Sequence, residues 1–283
     1  MKSKVLVIAL FVILVISLLK MDSRWVLTVL FASLMYGFLS PVVYARRLLY
    51  LSTASSHIAL LAVVLSIPLS KFFMCEYFWS ILLSLALINL IGYLIHKGVE
   101  PDTATAIFVS FSASMSVIVM FIVLTNYPIG TDLWSLILGD PLLVSWRDVG
   151  FVSVISIITV LSVVLTYREQ VSIGLERDCA VVSGINVKLY DFLFYTILAI
   201  STVAMIKVVG FVLQHVLILL PSIIAITFAR NSKDAMFFSV FFSVFLALIG
   251  LDLAVFLNQA PSGIIGLLMF VMFIFGKVKR CFK

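Results

Sequence analysis

A handful of polar side chains interrupt the long apolar runs of this chain, and any chemistry must lie with them. His57 closes a turn that holds Ser52, Thr53, Ser55 and Ser56, set among Leu, Ala and Ile. A neutral imidazole nitrogen is a good ligand for zinc and a usable one for manganese or iron(II). Thr53 stands four residues before His57 and shares its face if the segment is helical. The same hydroxyls suit close helix packing, so two readings stand side by side: a hydrated path with a ligand, or a structural hydrogen-bonder. His215, beside Gln214, is either a second ligand or an interhelical hydrogen-bonder. Asp252 and Lys207 also lie in apolar runs, Asp252 near one end of its run. Ionisable groups in such places are costly and tend to be functional, although Lys207 reads as a snorkelling or ion-paired side chain. No HExxH motif and no local Ser/His/Asp or Cys/His signature occurs, so no catalytic residue is assigned and an enzyme has no support.

The elements that must hold these residues follow from composition. Of 283 residues, 64% are hydrophobic and 11% charged, with a mean hydropathy of +1.27. Soluble domains carry about 25% charged residues, and one soluble core of this length cannot hide so much apolar surface. The surplus must face lipid. About 20 apolar residues cross a bilayer as a helix. Candidate spans fall near 4–20, 25–44, 48–70, 72–95, 103–125, 147–167, 189–209, 211–229, 235–256 and 262–276. The expected fold is all-α, a polytopic integral membrane protein with about 8–10 transmembrane helices, since barrel strands would alternate polar and apolar residues. The pair of segments around Gly210 reads as two spans or as one broken helix. Pro221 and Pro261 read as helix breaks. Residues 1–24 form an extra apolar segment, anchor or signal-like, because Lys2 and Lys4 precede the run 5–19 and no small-x-small cleavage site follows. Cys75, Cys179 and Cys281 are scattered, with neither disulfide nor metal-finger spacing.

The net charge of +6 reports orientation rather than nucleic-acid binding, because the basic residues sit at the ends of apolar runs. With a cytoplasmic N-terminus, most of the 19 Lys and Arg residues fall inside: Arg46, Arg47, Lys97, Arg168, Arg177, Lys188, Arg230 and Lys233 among them, with the C-terminal cluster. This requires the chain to cross out and back between 189 and 229. Two polar stretches remain. The outer one, 128–148, carries Asp132, Asp140 and Asp148 around a short apolar run. The inner one, 167–188, places Leu175, Cys179 and Val182 at i, i+4 and i+7, which predicts a short amphipathic helix. Glu176 and Asp178 are expected in its first turn, where the helix dipole favours acids, and Ser183–Gly184 offers a stop.

The chain resembles the permease subunits of the zinc/manganese/iron ABC importer family, from about Trp25 to the C-terminus. The pieces are Arg46-Arg47 followed by Leu51-Ser52-Thr53-Ala54-Ser55-Ser56-His57, then Leu138-Gly139-Asp140 with Leu143 and Asp148, then Tyr167-Arg168 leading into Glu176 to Gly184. Lys207-Val208-Val209-Gly210 with Leu217 to Pro221, Gly250-Leu251, and Pro261-Ser262-Gly263 complete the series. The resemblance implies a permease domain over 25–283 with a cytoplasmic coupling segment at 167–188. That segment would meet an ATPase through Arg168, Glu169, Glu176, Arg177, Asp178 and Gly184. It implies a homodimer, ATP-binding subunits on the cytoplasmic side, a metal-binding protein outside, and a divalent metal ion as cargo with no resident cofactor. The candidates to line such a path are His57, Thr53, Ser56, His215 and Asp252, although the resemblance itself places no ligand at His215, and Gly210, Pro221, Pro261 and Gly263 are the candidate gating or helix-break positions. The chain has no GxxxxGK[ST] loop, so ATP hydrolysis would belong to a partner. The family carries an acid four residues before the histidine, where this chain has Thr53. That departure keeps open an ABC permease for a metal chelate. An ATP-independent secondary carrier is the alternative from another class. The expected location is the plasma membrane.

Overall fold

The computed structural model describes residues 2–71, 75–127 and 141–281. Ten α-helices follow in order: α1 Lys2–Lys20, α2 Ser23–Ala45, α3 Leu49–Ser70, α4 Glu76–His96, α5 Pro101–Asn126, α6 Trp146–Leu175, α7 Arg177–Val182, α8 Val187–Phe228, α9 Ser232–Leu257 and α10 Pro261–Cys281. A single 3-10 turn, Pro141–Leu143, precedes α6, and no strand occurs among the described residues. Eight helices, α2 to α6 and α8 to α10, are long and apolar enough to cross a membrane. Asp132 and Asp140, with Leu138 and Gly139, lie outside the described residues.

Short polar side chains set the helix starts. Asp22 accepts from the Arg24 backbone N–H at 2.9 Å and caps α2. Ser145 and Asp148 form a reciprocal capping box on α6, Asn186 caps α8 and Asn231 caps α9. Each satisfies a backbone donor that the helix itself leaves orphaned.

The helices sort by burial. In α2, 72% of the spanning window is buried, against 28% for α4, α5, α6 and α10. Lipid-facing α5 presents Ile107, Phe111, Val117 and Phe121 outward. The central α2 is held by hydroxyls rather than by hydrophobicity, which gives little drive for helix association inside a bilayer. Ser239 donates to the Gly37 carbonyl at 2.8 Å, Ser243 to the Ser33 carbonyl at 2.7 Å, Ser156 to the Phe31 carbonyl at 2.8 Å, and Ser40 to the Ser222 hydroxyl at 2.8 Å. Gly37 permits the approach of α9, because a Cβ there would sit 2.9 Å from the Val240 Cα.

α8 is the element that places the site. A straight helix of 42 residues would extend about 63 Å, twice the hydrocarbon thickness. Instead Gly210 adopts φ 79°, ψ 166°, a conformation open only to glycine at low cost, and the chain turns back. The start of α8 and the start of α9, which follows α8 after a three-residue junction, therefore lie beside one stretch of α6: Gln170 Nε2 donates to the Tyr190 carbonyl at 3.2 Å, and Tyr167 Oη donates to the Ser232 carbonyl at 2.7 Å. The out-and-back crossing expected around Gly210 is what the structure contains. The junctions 46–48, 97–100, 176–186 and 229–231 then share one end of the bundle, the end rich in Arg and Lys.

The extra segment is a helix, α1, packed against α9. Ser17 Oγ donates to Asp252 Oδ2 at 2.9 Å, and Leu6, Leu10, Ile13 and Leu14 pack on the core.

Candidate functional site

Two short helical stretches build the candidate path. On α3, Thr53 and His57 stand one turn apart and both are half-buried, while Ser52, Ser55 and Ser56 turn inward. The hydroxyls bond back to their own helix: Ser52 and Thr53 donate to the Leu49 carbonyl at 2.7 and 3.2 Å, and Ser55 to the Ser52 carbonyl at 2.7 Å. Bonding of this kind hides the polar groups without help from a neighbour. On α8, the Gly210 turn starts a new helix whose Phe211 and His215 repeat the four-residue spacing. The two faces meet. The His57 and His215 ring centroids lie 6.2 Å apart at 80°, and Phe211 stands against both, 4.9 Å from His57 and 5.5 Å from His215. Behind them Gln214 Nε2 donates to Ser56 Oγ at 3.2 Å.

Two polar atoms of this cluster are buried without a hydrogen-bond partner, Gln214 Oε1 and His215 Nδ1. Such orphans are uncommon and point to a water or a ligand. Among the described residues no three His, Cys, Asp or Glu side chains are grouped so as to hold a metal ion. One protomer thus offers two imidazoles, hydroxyls and an amide, without a carboxylate in the cluster.

The remaining path and gating candidates are placed elsewhere. Asp252 is engaged with Ser17 of α1, and its second oxygen Oδ1 is buried without a partner. Pro221 lies buried within the returning half of α8, where the Ser222 backbone N–H turns to Ser40 Oγ at 3.1 Å. A neighbouring hydroxyl so satisfies the backbone that proline disturbs. Pro261 opens α10 rather than breaking a helix, and a Cβ on Gly263 would meet open space. Lys207 is ion-paired: its Nζ lies 3.2 Å from Glu76 Oε2 and 4.2 Å from the Tyr77 ring centroid.

At the basic end, the segment expected to form one amphipathic helix is divided. α6 runs on to Leu175, Glu176 is extended (φ −153°, ψ 110°) and serves as the N-cap residue of α7 rather than lying in its first turn, and Gly184 follows with φ +81°. Leu175 and Cys179 therefore belong to different helices. The triad does not pack inward: Leu175 is 74% exposed, Val182 89%, and Cys179 is exposed too, whereas Ala180 is buried against Ile173 and Val187. Beside this face lies a cleft of about 480 Å³ lined by Arg168, Glu169, Ser172, Glu176, Cys179 and Ser183, with Glu169 Oε2 buried and unpartnered. Arg177, Asp178 and Gly184 are exposed on α7 and its stop.

Sequence reasoning missed Asp191. Its carboxylate accepts from Arg46 through one oxygen and from Arg177 at 2.5 Å through the other. Arg46 also donates to Gln170 Oε1 at 2.6 Å. An acid four residues inside an apolar helix is the signal that marked it. Phe211, the ring between the histidines, was missed as well and carries no signal that separates it from other lipid-embedded phenylalanines.

The model of the ABC 3 transport family matches residues 19–280. The chain belongs to the ABC 3 transport family. It is similar to the high-affinity zinc uptake system membrane protein ZnuB of Haemophilus influenzae, 25% identical over 90% of this chain and 95% of that one. It is similar to the manganese transport system membrane protein MntC of Halalkalibacterium halodurans, 24% identical over 84% of this chain and 80% of that one. In fold it matches PsaBC of Streptococcus pneumoniae, solved with a Fab, at a TM-score of 0.79, 21% identity and coverage of 93% and 94%. It also matches the inward-facing structure of a transporter described as of metal-chelate type, with a TM-score of 0.75, 13% identity and 98% of each chain covered. This ABC 3 family permease is a multi-pass protein of the cell membrane.

Proposed function

We propose that this permease passes divalent metal ions into the cytoplasm as a homodimer driven by separate ATPase subunits and fed by an extracytoplasmic metal-binding protein. The observation that carries the reading is the half-buried pair His57 and His215, held on facing helices of one protomer with an orphaned imidazole nitrogen between apolar walls. Zinc and imidazole are well matched, and relatives named for zinc and for manganese uptake support the cargo class. Two imidazoles from one protomer are an incomplete ligand set for a tetrahedral ion. A second copy presenting the same face would complete it, with Thr53 and Ser56 as hydroxyl neighbours. Asp252 is a secondary candidate, since its Oδ1 is buried without a partner while Oδ2 accepts from Ser17.

The exposed face of Leu175, Cys179 and Val182 on α7, flanked by Arg168, Glu169, Glu176, Arg177, Asp178 and Gly184, is the docking surface for the ATPase. Gly210 and Pro221 supply bending points in α8, and Pro261 and Gly263 make the start of α10 the remaining gating candidate. Residues 1–24 serve as an accessory anchor on α9.

Uptake of labelled metal by the complex in proteoliposomes tests the reading. His57→Ala and His215→Ala are expected to depress uptake by about tenfold or more while the complex stays assembled. Unchanged uptake in both removes the pair from the path. Uptake that survives ATP depletion overturns the ATP-driven mechanism, and normal uptake after replacement of 176–184 by a flexible linker overturns the docking assignment. A second reading, a permease for a metal chelate, is favoured by Thr53 and by the lack of a carboxylate among the clustered groups. Transport of the chelate in preference to the free ion selects it.

A further inference from the structure

We propose that Asp191 is a positioning residue, the joint through which the short cytoplasmic helix α7 moves both arms of the histidine site. This rests on the docking reading above. The carboxylate is shared. One oxygen accepts from Arg46, at the end of α2, and the other from Arg177, the first residue of α7, at 2.5 Å. Asp191 itself sits in the first turns of α8 with its side chain 10% exposed, and Arg46 is 3% exposed. A third element is tied in. Gln170 on α6 accepts from Arg46 at 2.6 Å and donates to the Tyr190 carbonyl at 3.2 Å, while the Arg46 guanidinium carbon lies 5.3 Å from the Phe194 ring centroid. Three helices, α2, α7 and α8, thus meet at one carboxylate, and α6 joins the junction through Arg46 and the Tyr190 carbonyl. The junction is also sterically tight, because a Cβ on Gly174 would collide with the Ala45 carbonyl and lie 2.9 Å from the Arg46 nitrogen.

The two arms of the site both begin here. Arg46 is three residues before Leu49, where α3 starts, and α3 carries Thr53 and His57. Asp191 begins the first half of α8, which rises without a break to Gly210 and then delivers Phe211 and His215. A displacement of α7 reaches α8 through the Arg177–Asp191 pair and reaches α3 through Asp191–Arg46. Arg177 differs from Arg46 in being 46% exposed. It can therefore be replaced without stranding a buried charge. Arg46 is desolvated, so its guanidinium holds the carboxylate and follows it, carrying a movement of Asp191 on to the α2–α3 junction.

The test uses the assembled permease with its ATPase subunits in proteoliposomes, reading ATP hydrolysis and metal uptake in the same vesicles. Arg177→Gln leaves the Arg46–Asp191 pair in place; because Arg177 also flanks the docking face, the ratio is read only on complexes isolated with the ATPase bound and is normalised to the ATP they hydrolyse. Metal ions moved per ATP should fall by about tenfold, the scale of a typical coupling between sites. Asp191→Glu, which keeps the charge, is expected to recover most of that ratio, whereas Asp191→Asn is not. A ratio equal to that of the unaltered complex in Arg177→Gln overturns the joint, and so does an Asp191→Asn complex that assembles and couples normally. Val182→Arg separates this from the docking reading. It alters the exposed face alone and is expected to shed the ATPase. If Val182→Arg keeps the ATPase bound, the docking surface is wrong whatever Arg177→Gln does. If it sheds the ATPase while Arg177→Gln couples normally, docking stands and the joint falls.

Discussion

The histidine cluster and the arginine–aspartate junction stand at different depths of the same helices and are built in opposite ways. The cluster around His57 and His215 holds imidazoles, hydroxyls and an amide, the two rings are half-buried, and two polar atoms lack partners. At the junction the groups are charged, Arg46 and Asp191 are buried, and Arg46 is engaged through two of its nitrogens. On the proposed reading the histidines take up and release a cargo, and a group that does so cannot be saturated by its own protein. A group that must carry displacement from one helix to another must be. Membrane burial sharpens the difference, because an unpaired charge costs far more than an unpaired imidazole.

The largest break in that contrast comes from stranding the buried guanidinium. Asp191→Ala leaves Arg46 at 3% exposure without its carboxylate, and loss of about 3–5 kcal/mol of stability is expected. Thermal unfolding of the detergent-solubilised protein reads it. A loss below 1 kcal/mol would mean that water reaches Arg46 and that the junction is no more closed than the histidine cluster. Next in size is Gly174→Ala, where the added methyl meets the Ala45 carbonyl. Overpacking of backbone against backbone costs about 1–3 kcal/mol, and the same unfolding measurement checks it. His57→Ala should show the reverse pattern, a transport loss with stability changed by less than about 1 kcal/mol, since its contacts are ring contacts at a half-buried surface. A stability loss there equal to that of Asp191→Ala would show that the cluster is structural glue.

Different parts of this design were legible to different degrees. Span positions could be read because apolar run length is a local signal, and the reversal at Gly210, one of two readings left open there, was required by the distribution of Lys and Arg over the loops. The histidines could be found because an imidazole in an apolar run is anomalous wherever it sits. The α7 stripe was visible as periodicity, yet periodicity reports that one face is apolar and not what covers it. Leu175, Cys179 and Val182 face outward, while Ala180, a residue of no periodic prominence, makes the inward contact. The junction was illegible for another reason. Arg46 and Asp191 are 145 positions apart, and nothing local links a basic residue at the end of one span to an acid near the start of another. Only the closed bundle brings them together.

The smallest effect is the most discriminating about what makes a charged pair rigid. Lys207 and Glu76 form a second ion pair between spans, at the opposite end of the bundle, with Nζ to Oε2 at 3.2 Å. Lys207 is 13% exposed at its side chain, close to the value for Asp191, but Glu76 is 49% exposed. Half-exposed pairs are screened by water and salt and contribute about 0–1 kcal/mol. Lys207→Gln should therefore shift stability by less than about 1 kcal/mol, and that small difference should shrink further in 1 M salt, where the screening length is about 3 Å. The Asp191 pair should be nearly indifferent to the same salt because both partners are desolvated. If salt weakened the two pairs equally, burial would not be what separates them. The hydrogen bonds that Gln170 adds at the junction would then have to supply the whole distinction, and Gln170→Leu would be expected to reduce the Asp191 pair to the strength of its counterpart at the outer rim.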